Sequence, residues 1–270
     1  FRAYAGHMAD KPVLVERDGG VVTLTLNRPD IRNAMDPQLT EQFSAAVDAL
    51  RGDSELRAVV VTGAGQSFCA GGDLSWIKPG PGANVPEMRA KMRAFYPKFL
   101  GVRSLDVPVI AAINGHAVGA GLCLAMACDL RIAGEGAKLS APFTKLGMHP
   151  GMAATYLLPK LIGHARAADL LYTSRTILAP EALTMGLVNR VVPDGDLLAA
   201  AKETAAQIAA NAPLPMRLVK RALALAERGA DLDAMLDYEG LAQPVTMGTQ
   251  DLFEGLTAVR EKRAPNFKDA

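Results

Sequence analysis

The chain has 270 residues, half of them apolar and 21% charged, and its 29 basic and 28 acidic side chains leave a formal charge of +1. That length and composition suit a large single globular core or a core plus a small appendage. It offers no electrostatic case for nucleic acid or for an anionic membrane surface.

Three cysteines (Cys69, Cys123, Cys128) without a CxxC spacing, and four scattered histidines, spell neither a disulfide framework nor a zinc site. Reduced, buried thiols and a cytoplasmic location are expected. No apolar run approaches the length of a membrane-spanning helix.

Residues 1–8, FRAYAGHM, lack the apolar stretch of a signal peptide and are expected to be an expression remnant ahead of the fold. Residues 12–17 and 21–26 alternate in polarity around Asp18-Gly19-Gly20, which predicts a β-hairpin. Asp36-Pro37 reads as an N-cap followed by proline at the first helical position, with the helix running to about Leu50. AVVVT at 58–62 is continuously apolar, as in a strand covered on both faces. GAGQSFCAGGDL follows, then a loop over 79–86, a helix over 86–104 and a second buried strand at 107–113.

NGHAVGAGLCLAMACD (114–129) runs from a glycine-rich turn into an apolar, helix-compatible segment. Short strands are expected at 130–134 and 137–141. Beyond Gly151 the pattern is mainly helical, with one strand near 187–192 and final helices over about 196–211, 215–228, 231–247 and 249–261. The whole predicts an α/β core over residues 9–200 and a helical C-terminal segment over 201–270.

Two glycine-rich turns, 69–73 and 115–121, each follow an apolar run. Glycines there can merely permit tight turns and close packing. They can also expose backbone N–H groups that have no partner of their own, and two such turns facing each other would aim two donors at one point. A dinucleotide fingerprint fails: after Gly119-Ala120-Gly121 the third glycine position is Leu124, and after Gly63-Ala64-Gly65 it is Phe68. There is also no GxxxxGK[ST] phosphate loop.

LNRPDIRNAM, SFCAGGDL, NGHAVGAG with its downstream ACDLRIA, KLGMHPG and the terminal EKRAPNFKD stand in this order across about residues 12–268. Together they resemble the enoyl-CoA hydratase/isomerase (crotonase) family. The resemblance implies a crotonase-like spiral of repeated ββα units whose C-terminal helices form homotrimers, often paired into homohexamers. It implies an acyl-CoA thioester as ligand, with coenzyme A as part of the substrate and no separate cofactor. By position, the Gly72 and Ala120 N–H groups would form an oxyanion hole for the thioester carbonyl. Ile31, Arg32, Ala70, Asp73 and Leu74 would lie along coenzyme A. Lys262 would reach a neighbouring subunit's ligand, or else be a solvated terminal charge.

The same resemblance implies two glutamates in members that hydrate enoyl thioesters, one to activate water and one to protonate carbon. Cys123 stands at the first of those positions and Phe143 at the second. A thiol in an apolar setting stays protonated, and phenylalanine transfers no proton. Standard hydration is therefore not expected, nor is isomerisation that relies on one carboxylate. Altered chemistry such as decarboxylation or C–C cleavage, or acyl-CoA binding without turnover, is expected instead. His149 is a candidate base or a loop histidine bonded to backbone. His116 is expected to be structural, as are Asp73 and Asp129. Trp76, Met88, Met92, Phe95 and Tyr96 line an acyl tunnel or simply pack.

Overall fold

The computed structural model describes residues 11–73, 75 and 82–269. Residues 1–8, Leu74, Trp76 and positions 79–81 of the expected loop lie outside the described residues.

The hairpin is β1 (Val13–Asp18) and β2 (Val21–Leu26), antiparallel, with Asp18 opposite Val21. β2 runs parallel to β3 (Ala58–Gly63), and the sheet continues through β5 (Val109–Ile113), β7 (Leu130–Gly134) and β10 (Arg190–Val192) in the order β1-β2-β3-β5-β7-β10. A second sheet has the order β4-β6-β8-β9, from β4 (Ser67–Cys69), β6 (His116–Val118), β8 (Lys138–Ser140) and β9 (Thr176–Leu178). The chain thus lays β3, β5 and β7 in one sheet and the strand after each in the other, with a helix before each new turn. This is the expected ββα spiral.

Both faces of the central strands are buried, and they alternate as a strand must. Val59, Val61, Ala111 and Ile113 face the main core. Ala58, Val60, Ile110 and Ala112 face a smaller core closed by Ala201 and Ala205 of the helix Leu197–Ala209. Helix α1 (Pro37–Ala49) starts where its cap predicts: the Asp36 carboxylate accepts the Leu39 N–H at 2.7 Å.

The structure corrects the expected boundaries in three ways. The helix expected over 86–104 is α2 (Val85–Leu100), followed by a separate 3₁₀ turn at Gly101–Ser104. The strand expected from 187 starts at Arg190, because the Leu187 and Val188 N–H groups instead bond the Ala182 carbonyl at 2.8 and 3.3 Å and close the preceding helix. The short strands β4, β6 and β9 were not predicted. β6 divides what the sequence presents as a single glycine turn, with its own register to Ser67 on one side and Lys138 on the other.

The chain ends in three helices, Pro213–Glu227, Leu232–Met247 and Gln250–Glu261. They leave Leu223, Leu241, Phe253 and Val259 between 65% and 78% exposed.

A close backbone approach joins β4 to the helix α3 (Ala120–Ala127). A Cβ on Gly121 would stand 2.2 Å from the Cys69 carbonyl oxygen, which is backbone and cannot swing aside. Gly121→Ala is expected to lower the urea unfolding free energy by at least about 2 kcal/mol. Gly195→Ala, where a Cβ would meet nothing within 4 Å, should change it by no more than about 0.5 kcal/mol. Equal stabilities for the two variants would contradict this account of the contact.

Candidate functional site

β4 and β6 are parallel neighbours, so the segments leaving them lie side by side. A Cβ on Gly71 (φ +100°) would stand 2.8 Å from the Val118 carbonyl oxygen and 3.5 Å from the Ala120 nitrogen. Gly119 adopts φ 54°, ψ −116°, a conformation open essentially to glycine alone, and donates its own N–H to the Ser140 carbonyl at 2.9 Å.

Two peptide N–H groups follow from this arrangement. Ala120 is the first residue of α3, where a helical N–H has no intrahelical acceptor. Gly72 forms a single parallel bridge with Met35. That bridge uses the neighbouring groups: the Met35 N–H donates to the Gly71 carbonyl at 2.7 Å, and the Asp73 N–H donates to the Met35 carbonyl at 3.3 Å. In parallel pairing the residue between them directs its own N–H to the opposite side. Both Gly72 and Ala120 line one cavity of about 280 Å³.

The rest of that wall is apolar or aromatic, and among the described lining residues no side chain is a carboxylate, ammonium or guanidinium. The polar side chains are Tyr96, from α2, and His149. Phe143 also lines the cavity and stands over the glycine turn, its Cζ 3.7 Å from where a Gly119 Cβ would be.

Cys123 lies behind the wall rather than in it. Its side chain is buried, and its thiol lies 3.6 Å from the Gly151 carbonyl oxygen. Burial, and then the proximity of Cys69, push the thiol up to about 12. Cys69 and Cys128 are likewise buried, and burial pushes each of them up to about 12. All three are therefore neutral, packed thiols.

Of the residues expected along coenzyme A, Ala70 lines the cavity beside Gly72, whereas Ile31, Arg32 and Asp73 are not among its lining residues. The Ala70 N–H donates to the Arg32 carbonyl at 2.9 Å, and the Asp73 carboxylate accepts the Ser75 N–H at 2.8 Å. Lys262 caps the last helix, is exposed and is not among the residues lining the cavity. His116 sits in β6, off the cavity wall. His149 Nδ1 lies 2.8 Å from the Pro150 carbonyl oxygen. Asp129 is structural, accepting the Val109 N–H at 2.7 Å and the Lys220 ammonium at 2.8 Å.

Asn33 was not singled out by the sequence. It is fully buried, and its amide donates to the Ala64, Ser67 and Phe68 carbonyls at 3.0, 2.7 and 3.3 Å. With Arg32 it forms a left-handed pair, φ 55° and 57°. Asparagine tolerates that region better than most residues, which was an available signal. A second such pair, Met152 and Ala153 at φ 47° and 59°, borders the cavity and carried none.

A family model described as "Enoyl-CoA hydratase/isomerase" matches residues 16–270. The short-chain-enoyl-CoA hydratase of Clostridium acetobutylicum is 39% identical over 93% of this chain and 95% of its own. The 1,2-epoxyphenylacetyl-CoA isomerase of Escherichia coli is 35% identical over 94% of this chain and 97% of its own. The crystal structure of an enoyl-CoA hydratase from Bacillus anthracis superposes with a TM-score of 0.90 at 39% identity, covering 96% of this chain and all of that one.

The buried thiols make a prediction. A thiol with an ordinary value of 9.0 that is raised to about 12 by folding favours the folded state fully below about pH 9. That contribution is lost as pH rises toward 12, because the unfolded chain releases the proton first. Urea midpoints should fall above pH 9, and Cys123→Ala should flatten the fall. A thiol-reactive disulfide reagent should label the native protein only as it unfolds; rapid stoichiometric labelling of the native state would refute the burial.

Proposed function

The chain belongs to the enoyl-CoA hydratase/isomerase family, and on that premise we propose that it binds acyl-CoA thioesters in the cavity between Gly72 and Ala120. The two backbone N–H groups polarise the thioester carbonyl and stabilise the enolate derived from it. Ile31, Arg32, Ala70 and Asp73 lie along the coenzyme A moiety, which is part of the substrate rather than a resident cofactor; Leu74, of the same run, lies outside the described residues. The setting is fatty-acid or acyl-CoA metabolism.

One observation carries the reaction class: the wall that holds these two donors has no carboxylate among its described residues. Cys123 and Phe143 occupy the positions where a hydratase of this family would carry its glutamates. Neither supplies an acid or base, the thiol because burial keeps it protonated and the ring because it has no exchangeable proton. Losing each group costs a rate factor of about 10²–10⁴. The protein therefore acts on acyl-CoA by chemistry other than standard hydration. The aromatic ring of Phe143 beside the carbonyl site favours a second reading, a non-catalytic acyl-CoA-binding protein.

The test pairs binding with turnover. A panel of acyl-CoAs, including crotonyl-CoA, is titrated by calorimetry and then followed by mass spectrometry. Thioester binding is expected, with crotonyl-CoA hydration slower than in a two-glutamate hydratase by at least about 100-fold. Hydration at a hydratase's ordinary rate would overturn the reaction class, and no binding of any thioester would overturn the function itself. Binding without product from any member would select the non-catalytic reading.

The exposed apolar faces of the last three helices support a homotrimer or homohexamer, in which Lys262 reaches the ligand of a neighbouring subunit. Light scattering is expected to give three or six times the chain mass of 28.5 kDa. A monomer at micromolar concentration would remove both the assembly and that role for Lys262.

A further inference from the structure

Tyr96 has a phenol in the cavity wall with no hydrogen-bond partner among the described residues. Its ring packs edge-on against Phe95, at 6.2 Å between centroids, which fixes the plane. The hydroxyl end lies over Gly151: a Cβ there would come 2.8 Å from the hydroxyl oxygen and 3.3 Å from Cζ. The carbonyl of the same Gly151 lies 3.6 Å from the Cys123 thiol. Cys123 is in the first turn of α3, with its N–H bonded to the Gly119 carbonyl at 3.0 Å. The hydroxyl therefore sits above the helical turn that begins with the Ala120 N–H. Burial, and then the nearby thiol, push the phenol up, so it remains a proton donor at neutral pH.

His149, two residues before Gly151, is the other polar side chain of the wall. Its Nδ1 faces the Pro150 carbonyl. A carbonyl only accepts, so Nδ1 carries the hydrogen in the neutral ring and Nε2 keeps its lone pair. A donor and an acceptor, the latter on a residue exposed to solvent, thus belong to the wall that holds the two backbone N–H groups.

We propose that Tyr96 is a catalytic acid and His149 its partner base, together moving a proton at the α-carbon of an acyl-CoA thioester. His149 Nε2 takes the α-proton, and the electron pair of that C–H bond passes to the thioester oxygen as an enolate. The Tyr96 O–H then breaks to form a new C–H bond as the carbonyl is restored. The phenolate recovers a proton from the imidazolium or from water. Nothing is oxidised or reduced and no co-reactant is consumed. This step rests on the thioester function proposed above and names the side chains that replace the missing carboxylates.

The test is exchange of butyryl-CoA in D₂O, with mass spectrometry reading deuterium at the α-carbon and calorimetry reading butyryl-CoA binding. The wild-type protein should incorporate deuterium. Tyr96→Phe, which keeps the ring, and His149→Gln should each slow incorporation by about 100-fold or more while binding is unchanged. Gly151→Ala, whose new methyl displaces the hydroxyl, should slow it less. Wild-type exchange that persists in Tyr96→Phe overturns the role of the phenol. So does a Tyr96→Phe protein whose lost exchange tracks lost binding, since the residue would then only shape the cavity. A wild-type protein that binds butyryl-CoA and exchanges nothing overturns the pair while leaving thioester binding intact. Failure to bind any thioester would instead sink the proposed function beneath it.

Discussion

The cavity depends on one close approach between two stretches of main chain. Residues 69–72 lie against residues 118–121 with no side chain between them, because Gly71 and Gly121 have none to interpose. Added Cβ atoms at these glycines would come 2.8 and 2.2 Å from backbone oxygens, closer than real Cβ atoms stand. The approach is held from outside by parallel pairing of β4 with β6 and of β6 with β8. It is held from the other side by Asn33, whose buried amide bonds three carbonyls of the 64–68 segment. Left-handed backbone at Arg32–Asn33 and at Met152–Ala153 costs of order 1–3 kcal/mol per residue. Such conformations persist only where surrounding structure dictates them: Met152 lines the cavity, and Arg32 is bonded through its carbonyl to Ala70, which also lines it.

Once the backbone is fixed this way, the electrostatics follow. Two N–H dipoles sit in a wall that is mostly apolar and, among its described residues, holds no carboxylate, ammonium or guanidinium group. In such surroundings a donor interacts more strongly with developing negative charge than it would in water, and it needs no reorganisation. The same dryness keeps the nearby thiols neutral. It also explains why a charged side chain is not simply missing but poorly tolerated: an unpaired carboxylate at residue 123 would have to be buried in the space now filled by a neutral thiol.

The sequence made the frame legible and the wall only partly so. Long signals survived folding: the Gly19-Gly20 hairpin, the Asp36-Pro37 helix start and the two continuous apolar strands are where the residues place them. The three-residue strands β4, β6 and β9 were not legible, because so short a segment has no measurable period and gains its strand character from neighbours distant in sequence. Gly72 and Ala120 were proposed as donors through glycine spacing together with the family resemblance, and the structure places both on one cavity wall. Asn33 was hidden because its importance lies in carbonyls about thirty residues away. Tyr96 was read as lining an acyl tunnel or simply packing, and its hydroxyl, unpaired among the described residues, becomes apparent only when α2 is folded over Gly151.

Under the proposed function, holding the carbonyl and moving the proton are separable tasks in this architecture. The holding groups are peptide N–H, so drift in side chains leaves them unchanged; alanine at 120 donates as glycine would. The proton-moving groups are side chains, and each can be replaced without disturbing the backbone approach. Relatives of comparable identity carry names for different reactions, a hydratase at 39% and an epoxyphenylacetyl-CoA isomerase at 35%. Overall similarity therefore carries the family and the fold far more securely than it carries the reaction. The reaction is set by the few side chains that reach the cavity, and here the described polar ones are a phenol and an imidazole rather than two carboxylates. Neither bears a negative charge, so neither repels the developing enolate, as a carboxylate beside it would. On the proposed step, the phenol supplies an acid and the imidazole a base for moving a proton to and from carbon beside the two backbone donors.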